Sequence, residues 1–152
     1  MKNHLLMVAG DVSADQHGAA LAIALKKQMP NLRLSAFGGA SLQRVVDRFL
    51  FPLVRMGGFG FWEPLLKAPS FYRAFQIFKK ALKNDIPGAV VLMDYYGFNI
   101  RIARMARQRG IPVVYYISPQ VWASRPGRLK QLAKVVDKML VLFPFEEELY
   151  RQ

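Results

Sequence analysis

The chain has 152 residues, a formal net charge of +12 and no cysteine. This length fits one globular domain whose core is stable without disulfides, and the lack of thiols excludes a disulfide framework, a thiol nucleophile and thiolate zinc sites. The charge predicts attraction to phosphorylated ligands or an anionic membrane. Nucleic acid is disfavoured, because the sequence has no zinc-finger spacing, RNA-binding motif or basic recognition helix.

The hydropathy of the chain predicts neither export nor a membrane span. Residues 1–18 contain one short apolar run, which ends at Asp11, and they lack the cleavage site of a signal peptide. No apolar stretch reaches the roughly 20 residues needed to cross a bilayer. We therefore expect a cytoplasmic protein that is soluble or lies on a membrane surface.

Strand-like and helix-like segments alternate along the sequence. Hydrophobic periodicity predicts strands over residues 4–9, 32–37, 88–93, 111–117 and 138–143, and helices over 14–28, 41–47, 69–83, 99–108 and 127–135. We expect a short extended piece at 49–54 and a glycine-rich loop at 56–61. A last helix opens at Pro144 and stops within about two turns, as if the chain were cut off. The alternation predicts an α/β fold with a doubly wound parallel sheet.

Polar residues follow two of the predicted buried strands. Asp94 comes directly after 88–93, and the segment 117–128, ISPQVWASRPGR, follows the apolar run 111–116. Ligands of open α/β sheets bind outside the carboxyl ends of the strands. We therefore expect Asp94, Ser118 and Trp122 to converge on one site.

Five segments of the sequence resemble the lipid A disaccharide synthases, a family of glycosyltransferases of the two-domain GT-B type. They are residues 9–21, 56–66, 93–104, 116–132 and 143–150. The resemblance implies that residues 1–152 form the amino-terminal, Rossmann-like, acceptor-side half of a GT-B fold. It also implies that the carboxyl-terminal nucleotide-sugar domain is absent from the chain.

The resemblance implies a reaction as well. An inverting hexosyltransferase of this kind transfers diacylglucosamine from a UDP-linked donor to diacylglucosamine 1-phosphate, giving a β-linked disaccharide and UDP in lipid A biosynthesis. It uses no metal or other cofactor and is peripheral on the inner face of the cytoplasmic membrane. We expect the chain to be inactive without a carboxyl-terminal domain that provides the nucleotide site; a separate chain is one possible source of that domain.

Seven positions depart from the segments typical of the family, which read AGExSGD, DAPDFN and SPSVWAWR. The chain has there Asp11, Ala14, Tyr95, Tyr96, Gly97, Gln120 and Ser124. Gly97 replaces a second acidic residue. Two alternatives to the synthase follow: a divergent glycosyltransferase fragment with another acceptor, or a non-catalytic module that binds a glycolipid or a phosphate.

Asp94 is the candidate catalytic residue. Inverting transfer needs a base for the proton of the attacking hydroxyl, and Asp94 matches the catalytic aspartate that the family places after this strand. An ordinary carboxylate is a weak base, so partial burial beside Tyr95, Tyr96 and Phe98 would have to raise its pKa. The alternatives are that Asp94 caps the following helix, or that His17, which titrates near neutrality, is the base.

Eight further residues are expected to bind substrate: Gly10, Ser13, Asp15, Asn99, Ser118, Trp122, Arg125 and Arg128. Gly10 permits a tight turn, and the two arginines can present guanidinium groups to a phosphate. Capping of the first helix explains Ser13 and Asp15 almost as well. The other structural alternatives are that Arg125 and Arg128 are solvated and that Trp122 packs in the core.

One helical face and the loop before it predict contact with a membrane or with acyl chains. The residues concerned are Phe61, Trp62, Leu65, Phe71 and Phe75. Phe71 and Phe75 share their face with other apolar residues and are bordered by lysines and arginines, as in helices that lie on anionic membranes. The alternative is that this face packs on the sheet.

Two charged rows have simpler interpretations. Arg101, Arg104 and Arg107 recur at helical spacing and are expected to form a solvated face. Glu146, Glu147 and Glu148 follow Pro144 and are expected to stabilise the start of the last helix.

Overall fold

Six parallel strands form one sheet in the part of the chain that the structure describes. The computed structural model describes residues 3–56, 68–119 and 127–151. The strands are β1 His4–Ala9, β2 Arg33–Phe37, β3 Arg48–Phe51, β4 Ala89–Met93, β5 Val113–Tyr116 and β6 Lys138–Leu140, in the sheet order β3-β2-β1-β4-β5-β6. With every pair parallel, this is the order of a doubly wound, Rossmann-like sheet and confirms the predicted fold class.

Helices cover both faces of the sheet. They are α1 Val12–Gln28, α2 Ala40–Gln43, α3 Ala68–Asn84, α4 Tyr96–Arg107, α5 Gly127–Ala133 and α6 Pro144–Arg151, with a 3-10 turn at Leu53–Met56. Side chains alternate along β1, so Leu6 and Val8 pack with α3, α4 and α5, while Met7 and Ala9 pack with α1 and α2. None of the described helices is both long enough and apolar enough to cross a membrane.

The start of α4 differs from the sequence-based boundary. The sequence pattern places it at residue 99, but the helix begins at Tyr96, because Tyr95 has a left-handed backbone (φ 41°) that turns the chain directly into the helix. The helix expected at 41–47 is shorter in the structure, where α2 ends at Gln43. The extended piece at 49–54 becomes β3 and the 3-10 turn, separated by Pro52, which lacks a backbone donor. Residues 57–61 of the predicted loop lie outside the described residues.

The end of β6 also has a local cause. The sequence pattern extends this strand to residue 143, but it stops at Leu140. The amides of Leu142 and Phe143 donate instead to the Glu146 carboxylate, at 3.2 and 3.1 Å. A helix start has therefore replaced the last residues of the strand.

An aspartate ties each edge strand to its inner neighbour. Just before β3, the Asp47 amide donates to the Leu34 carbonyl of β2 (3.0 Å), and the Asp47 carboxylate accepts from the Leu34 amide (2.7 Å). Asp137, just before β6, makes the same pair of bonds with Val113 of β5, at 2.9 and 2.8 Å. The two outer strands are thus attached to the sheet by the same pair of hydrogen bonds.

A basic side chain from a helix forms an ion pair with each of these two aspartates. Lys26 of α1 pairs with Asp47 at 2.5 Å, and Arg107 of α4 pairs with Asp137. Arg107 is exposed, as expected for a residue of a solvated face, and it forms this ion pair in addition. The pairing partner lies 30 residues further along the chain, beyond the reach of a helical pattern.

A polar cluster lies at the amino edge of the sheet. His4 of β1 is buried, with Nε2 2.9 Å from the Ser35 hydroxyl and Nδ1 3.5 Å from an Asp85 oxygen. Arg33 donates to both oxygens of Asp85, at 3.1 and 3.0 Å. Burial lowers the pKa of His4 and outweighs the opposing effect of Asp85, while the charges of Arg33 and Arg48 act in the same direction as burial. The folded protein therefore favours neutral His4.

Replacing His4 with Gln should weaken the loss of stability in mild acid. The pKa of His4 in the folded protein lies below its ordinary value of 6.5, so the unfolded chain binds more protons and stability falls as the pH drops through this value. Gln can still bond to Ser35 but cannot titrate. Urea unfolding of wild type and variant, at about pH 8 and about pH 5.5, measures the difference.

The control for this experiment is His17→Gln, at an exposed position of α1. It should keep the pH dependence of the wild type. If His4→Gln loses as much stability in acid as the wild type does, protonation of His4 does not contribute to acid unfolding.

Candidate active site at the carboxyl edge of the sheet

The candidate site lies where the strand order reverses. β1 and β4 are neighbours in the middle of the sheet, but the chain leaves β1 towards β2 and leaves β4 towards β5. Open α/β sheets bind ligands in a crevice outside the carboxyl ends of such strands, so this edge is the candidate site. Gly10 and Asp11 follow β1, and Asp94 and Tyr95 follow β4.

Gly10 leaves room for the ring of Tyr95. A Cβ atom at Gly10 would lie 2.4 Å from two ring atoms of Tyr95 and 2.6 Å from its Cβ. Gly10 has no positive φ, so close approach of Tyr95, rather than a left-handed turn, is the reason for glycine here. The Tyr95 ring also stacks on Phe71 of α3, with centroids 6.5 Å apart. Tyr95 thus connects the loop after β1 to α3.

Unusual backbone conformations are concentrated at this edge. Among the described non-glycine residues, Asp94 (φ 43°), Tyr95 (φ 41°) and Ile117 (φ 68°) have positive φ. The conformation is costly for a β-branched residue such as Ile117. The Asp94 amide donates to the Ile117 carbonyl (3.2 Å). The strained turns after β4 and β5 therefore brace each other, and such strain is often kept at functional sites.

Two buried side chains hold the backbone of Asp94. Asn99 Nδ2 donates to the carbonyls of Met93 and Asp94, at 2.9 and 2.8 Å. The Tyr115 hydroxyl also donates to the Asp94 carbonyl, and burial raises the pKa of Tyr115, so the donated proton is retained. Asn99 was expected to bind substrate, but its amide nitrogen is engaged in positioning Asp94. Sequence reasoning missed Tyr115 because its strand position resembles ordinary core.

The carboxyl group of Asp94 is a stronger base than that of an ordinary aspartate. The residue as a whole is exposed, but partial burial of its carboxyl group raises the pKa. The negative charge of Asp11 raises it further, and a hydrogen bond from the Tyr95 backbone opposes both effects. The direction of this shift is the one that a general base requires, and the catalytic role of Asp94 stays a prediction.

Asp11 is the residue that caps α1. Its carboxylate accepts from the Ala14 amide at 2.9 Å. Ser13 and Asp15 are the caps that the sequence suggests, and neither makes this bond; Ser13 is exposed. The sequence could have predicted Asp11 as the cap, because an acidic residue three positions before the amide that it caps is a common helix start.

Asp15 fills the amino end of α2. It is buried, and its carboxylate accepts three backbone amides, from Gly39 (2.7 Å), Ser41 (2.9 Å) and Leu42 (3.2 Å). A Cβ atom at Gly39 would lie only 2.7 Å from an Asp15 oxygen, so a side chain there would collide with it. Asp15 was expected to bind substrate. The structure instead shows it tying α1 to the turn after β2.

Ser118 is tied to α6. It is buried, donates to a Glu146 oxygen (2.8 Å) and accepts from the Tyr150 hydroxyl (3.0 Å). Ser118 follows β5 at the carboxyl edge, as predicted, and its hydroxyl is hydrogen-bonded to α6; a contact with substrate stays a prediction. Because Glu146 also accepts the two amides before α6, its predicted role at the helix start is confirmed.

Comparison with known proteins agrees with this architecture. The family model described as lipid-A-disaccharide synthetase matches residues 5–152. The chain belongs to the lipid-A-disaccharide synthetase family. The match extends over nearly the whole chain, including all five segments that carried the resemblance.

Curated members of the lipid-A-disaccharide synthetase family are considerably longer. Proteins named lipid-A-disaccharide synthase from Syntrophus aciditrophicus and Syntrophotalea carbinolica are 42% and 41% identical to the chain over 148 residues. Each comparison covers 97% of this chain, but 39% and 38% of the relative. The chain thus spans about two fifths of the length of these relatives.

A crystal structure of Acinetobacter baumannii MurG shows the same fold. It matches with a TM-score of 0.56 and 19% identity, over 93% of this chain and 41% of MurG. This likeness supports the Rossmann-like fold predicted for the chain.

Arg128 lies beside the start of α4 in this member of the lipid-A-disaccharide synthetase family. Its guanidinium carbon is 4.5 Å from the centre of the Tyr96 ring, and the Tyr96 hydroxyl donates to Gln131 of α5 (3.2 Å). Tyr96, one of the departures from the typical family segment, therefore links α4 to α5. Phosphate binding by Arg128 stays a prediction.

The aromatic face of α3 packs against α4. Phe98 lies 5.8 Å from Phe71 and 4.7 Å from Phe75 between ring centroids, and Phe78 and Leu82 are fully buried. Packing on the core, the alternative considered for this face, accounts for most of it. Phe71 and Phe75 are half-buried, and their contact with a membrane or acyl chains stays a prediction.

Several predicted site residues lie outside the described residues. They are Trp122, Arg125, Phe61, Trp62 and Leu65. Their roles in substrate binding or membrane contact stay predictions.

Alanine substitutions at Gly10 and Gly97 should change stability in opposite directions. Gly10→Ala places a Cβ against Tyr95 and should destabilise the protein by about 1–3 kcal/mol. An added Cβ at Gly97 meets no atom within 4 Å, and the residue lies in α4, so Gly97→Ala should stabilise by about 0.5–1 kcal/mol. Urea unfolding measures both free energies. Equal effects of the two substitutions would show that Tyr95 does not restrict position 10.

Asp15→Ala should destabilise the protein by at least about 2 kcal/mol, because three amides would lose a buried acceptor. Ser13→Ala, at an exposed position of the same helix turn, is the matched control and should change stability by less than about 0.5 kcal/mol. Chemical unfolding and the hydrogen-exchange rates of the Ser41 and Leu42 amides test this. Unchanged exchange at these amides in Asp15→Ala would contradict the assigned role.

Proposed function

We propose that the chain is the acceptor-side domain of a lipid-A-disaccharide synthase. In this proposal the complete enzyme transfers diacylglucosamine from a UDP-linked donor to diacylglucosamine 1-phosphate. The observation that carries it is Asp94: a carboxyl group with a raised pKa, on a braced backbone, at the point where the strand order reverses. Family membership and the names of the relatives support the choice of reaction.

The proposed chemistry needs one base on this chain. The Asp94 carboxylate accepts the proton of the acceptor hydroxyl as that oxygen bonds to the anomeric carbon of the donor. The bond from this carbon to the diphosphate breaks on the opposite face, so the configuration inverts and UDP leaves. A carboxylate with a raised pKa makes the proton transfer more favourable near neutral pH.

Positive charge near the crevice is proposed to hold the phosphate of the acceptor. Arg128 is the described candidate, because the Tyr96 ring fixes its guanidinium close to the start of α4. A guanidinium suits a phosphate group through paired hydrogen bonds. In this proposal the nucleotide of the donor is held by a carboxyl-terminal domain of the kind that would account for the greater length of the relatives.

Binding of the acceptor tests the assignment directly. Calorimetry or NMR would follow detergent-dispersed diacylglucosamine 1-phosphate added to the chain, with UDP and an unrelated anionic lipid as controls. Selective binding of the glycolipid, weakened by Arg128→Gln, is the expected result. Equal binding of every anionic lipid would remove the acceptor assignment and favour a general surface-binding module.

Two aspartate variants test the catalytic role of Asp94. With a carboxyl-terminal synthase domain supplied, Asp94→Asn should lower turnover by at least about 100-fold, because the base is lost. Asp11→Asn should keep turnover and the helix cap, since Asn caps well. It should also shift the acidic limb of the pH–rate profile to lower pH, because the charge that helps to raise the Asp94 pKa is gone. Initial rates across the pH range measure both effects.

Each of these variants has an outcome that contradicts the proposal. Full turnover by Asp94→Asn would remove Asp94 from the mechanism. An unshifted acidic limb in Asp11→Asn would show that the limb reports a different group.

A further inference from the structure

The turn after β5 is hydrogen-bonded to α6 through one buried side chain. Ser118 is the second residue after β5, and its hydroxyl donates to a Glu146 oxygen at 2.8 Å. The Tyr150 hydroxyl, one turn further along α6, donates to the Ser118 oxygen at 3.0 Å. Burial raises the pKa of Tyr150, so this phenol keeps the proton that it donates. Ser118 therefore both donates to α6 and accepts from it.

Glu146 fixes the α6 end of this contact. The residue is buried, and its second oxygen accepts from the amides of Leu142 and Phe143, at 3.2 and 3.1 Å. Hydrogen bonds to a charged group are among the stronger ones in proteins, so this carboxylate has little freedom to move. Glu146 thus holds Ser118 in a fixed position relative to the start of α6.

Ile117 connects Ser118 to the candidate base. Its φ of 68° is unfavourable for a β-branched residue, and such a conformation persists only where its surroundings hold it. The Ile117 amide donates to the Leu140 carbonyl (2.9 Å), and the Ile117 carbonyl accepts from the Asp94 amide (3.2 Å). On its carboxyl side, Ile117 is followed directly by Ser118. Loss of the bonds between Ser118 and α6 would therefore let Ile117 relax and would displace the acceptor of the Asp94 amide.

We propose that Glu146, Ser118 and Tyr150 are positioning residues for the candidate base. They act through the strained turn at Ile117, whose carbonyl accepts from the Asp94 amide. The inference rests on the proposed function, because it takes Asp94 as the base. The carbonyl of Asp94 is held by α4 and β5, and in this proposal its amide is held through α6. Both backbone polar groups of the base are then fixed by separate elements of the fold.

The positioning role predicts a loss of rate without a loss of affinity for the acceptor. A base has to lie within hydrogen-bond reach of the proton that it accepts, and a displacement of about 1 Å can lower a rate about 100-fold. Arg128, the proposed contact to the acceptor phosphate, lies on α5. Within the described residues, α5 contributes no side chain to the hydrogen bonds between Ser118 and α6, so binding of the acceptor should be retained.

Amide hydrogen exchange in the intact chain tests the coupling without any turnover. In Glu146→Gln, exchange at the Asp94 amide should accelerate at least about tenfold more than exchange at the Val91 amide of β4, because bonds to a charged acceptor are lost. The matched control is Glu147→Gln, the next position of α6, where the carboxylate is exposed. It should leave the ratio of the two exchange rates within about twofold of the wild type.

A milder variant covers the case in which Glu146→Gln does not fold. Tyr150→Phe removes one hydroxyl and keeps the ring, which packs against the core. It should accelerate exchange at Asp94 about threefold relative to Val91, in keeping with the loss of one neutral hydrogen bond. Equal acceleration at Asp94 and Val91 in the folded variants would mean that the network only stabilises the protein as a whole, and would overturn the inference.

Turnover with a carboxyl-terminal synthase domain supplied is the second readout. Glu146→Gln should lower kcat at least about tenfold while the KM for the acceptor stays within about twofold of the wild type. Glu147→Gln should keep both parameters. Asp94→Asn, measured in parallel, separates the two possible failures. Full turnover by Asp94→Asn would reject Asp94 as the base and the inference with it, whereas a loss of turnover in Asp94→Asn with unchanged kcat in Glu146→Gln and Tyr150→Phe would overturn the inference alone.

Discussion

The carbonyl group of Asp94 is the acceptor on which the carboxyl edge depends. Asn99 of α4 and Tyr115 of β5 both donate to it, and both donors are buried. Removing either donor would take one of these two hydrogen bonds from the carbonyl, at a cost of about 0.5–1.5 kcal/mol. These bonds offset the strain of two consecutive left-handed residues, at about 1–3 kcal/mol each. Because Asn99 and Tyr115 bind the backbone of Asp94, the proposed role of its side chain as a base does not require that side chain to hold the turn.

The departures from the typical family segment at Tyr95, Tyr96 and Gly97 form one structural unit. Tyr95 packs on Gly10 and Phe71, Tyr96 packs under Arg128, and Gly97 faces open space. Two aromatic rings therefore connect the turn after β4 to its surroundings on both sides. These departures lie between Asp94 and Asn99, the two residues of this segment that match the typical family pattern, so they alter the surroundings of the candidate base and not the base itself.

Most of the fold could be predicted from the sequence, but the partners of the polar residues could not. β1 was predicted to the residue, because it is apolar on both faces, and the shared edge of Asp94 and Ser118 followed from topology. The pairings of Asp15 with the start of α2 and of Ser118 with Glu146 join residues 24 to 28 positions apart. Local patterns carry no information at such separations. The sequence therefore did not show that the Asp15 carboxylate binds backbone amides or that the Ser118 hydroxyl binds side chains of α6.

The paired ties of Asp47 and Asp137 have a consequence for how the chain avoids unwanted association. Edge strands as short as β3 and β6 present unsatisfied backbone to other molecules, and a shift of one residue would turn their apolar side chains outward. Each aspartate lies just before its strand and is bonded to a fixed residue of the inner neighbour. The two carboxylates thus act against slippage of the outer strands, which would expose their apolar side chains to solvent.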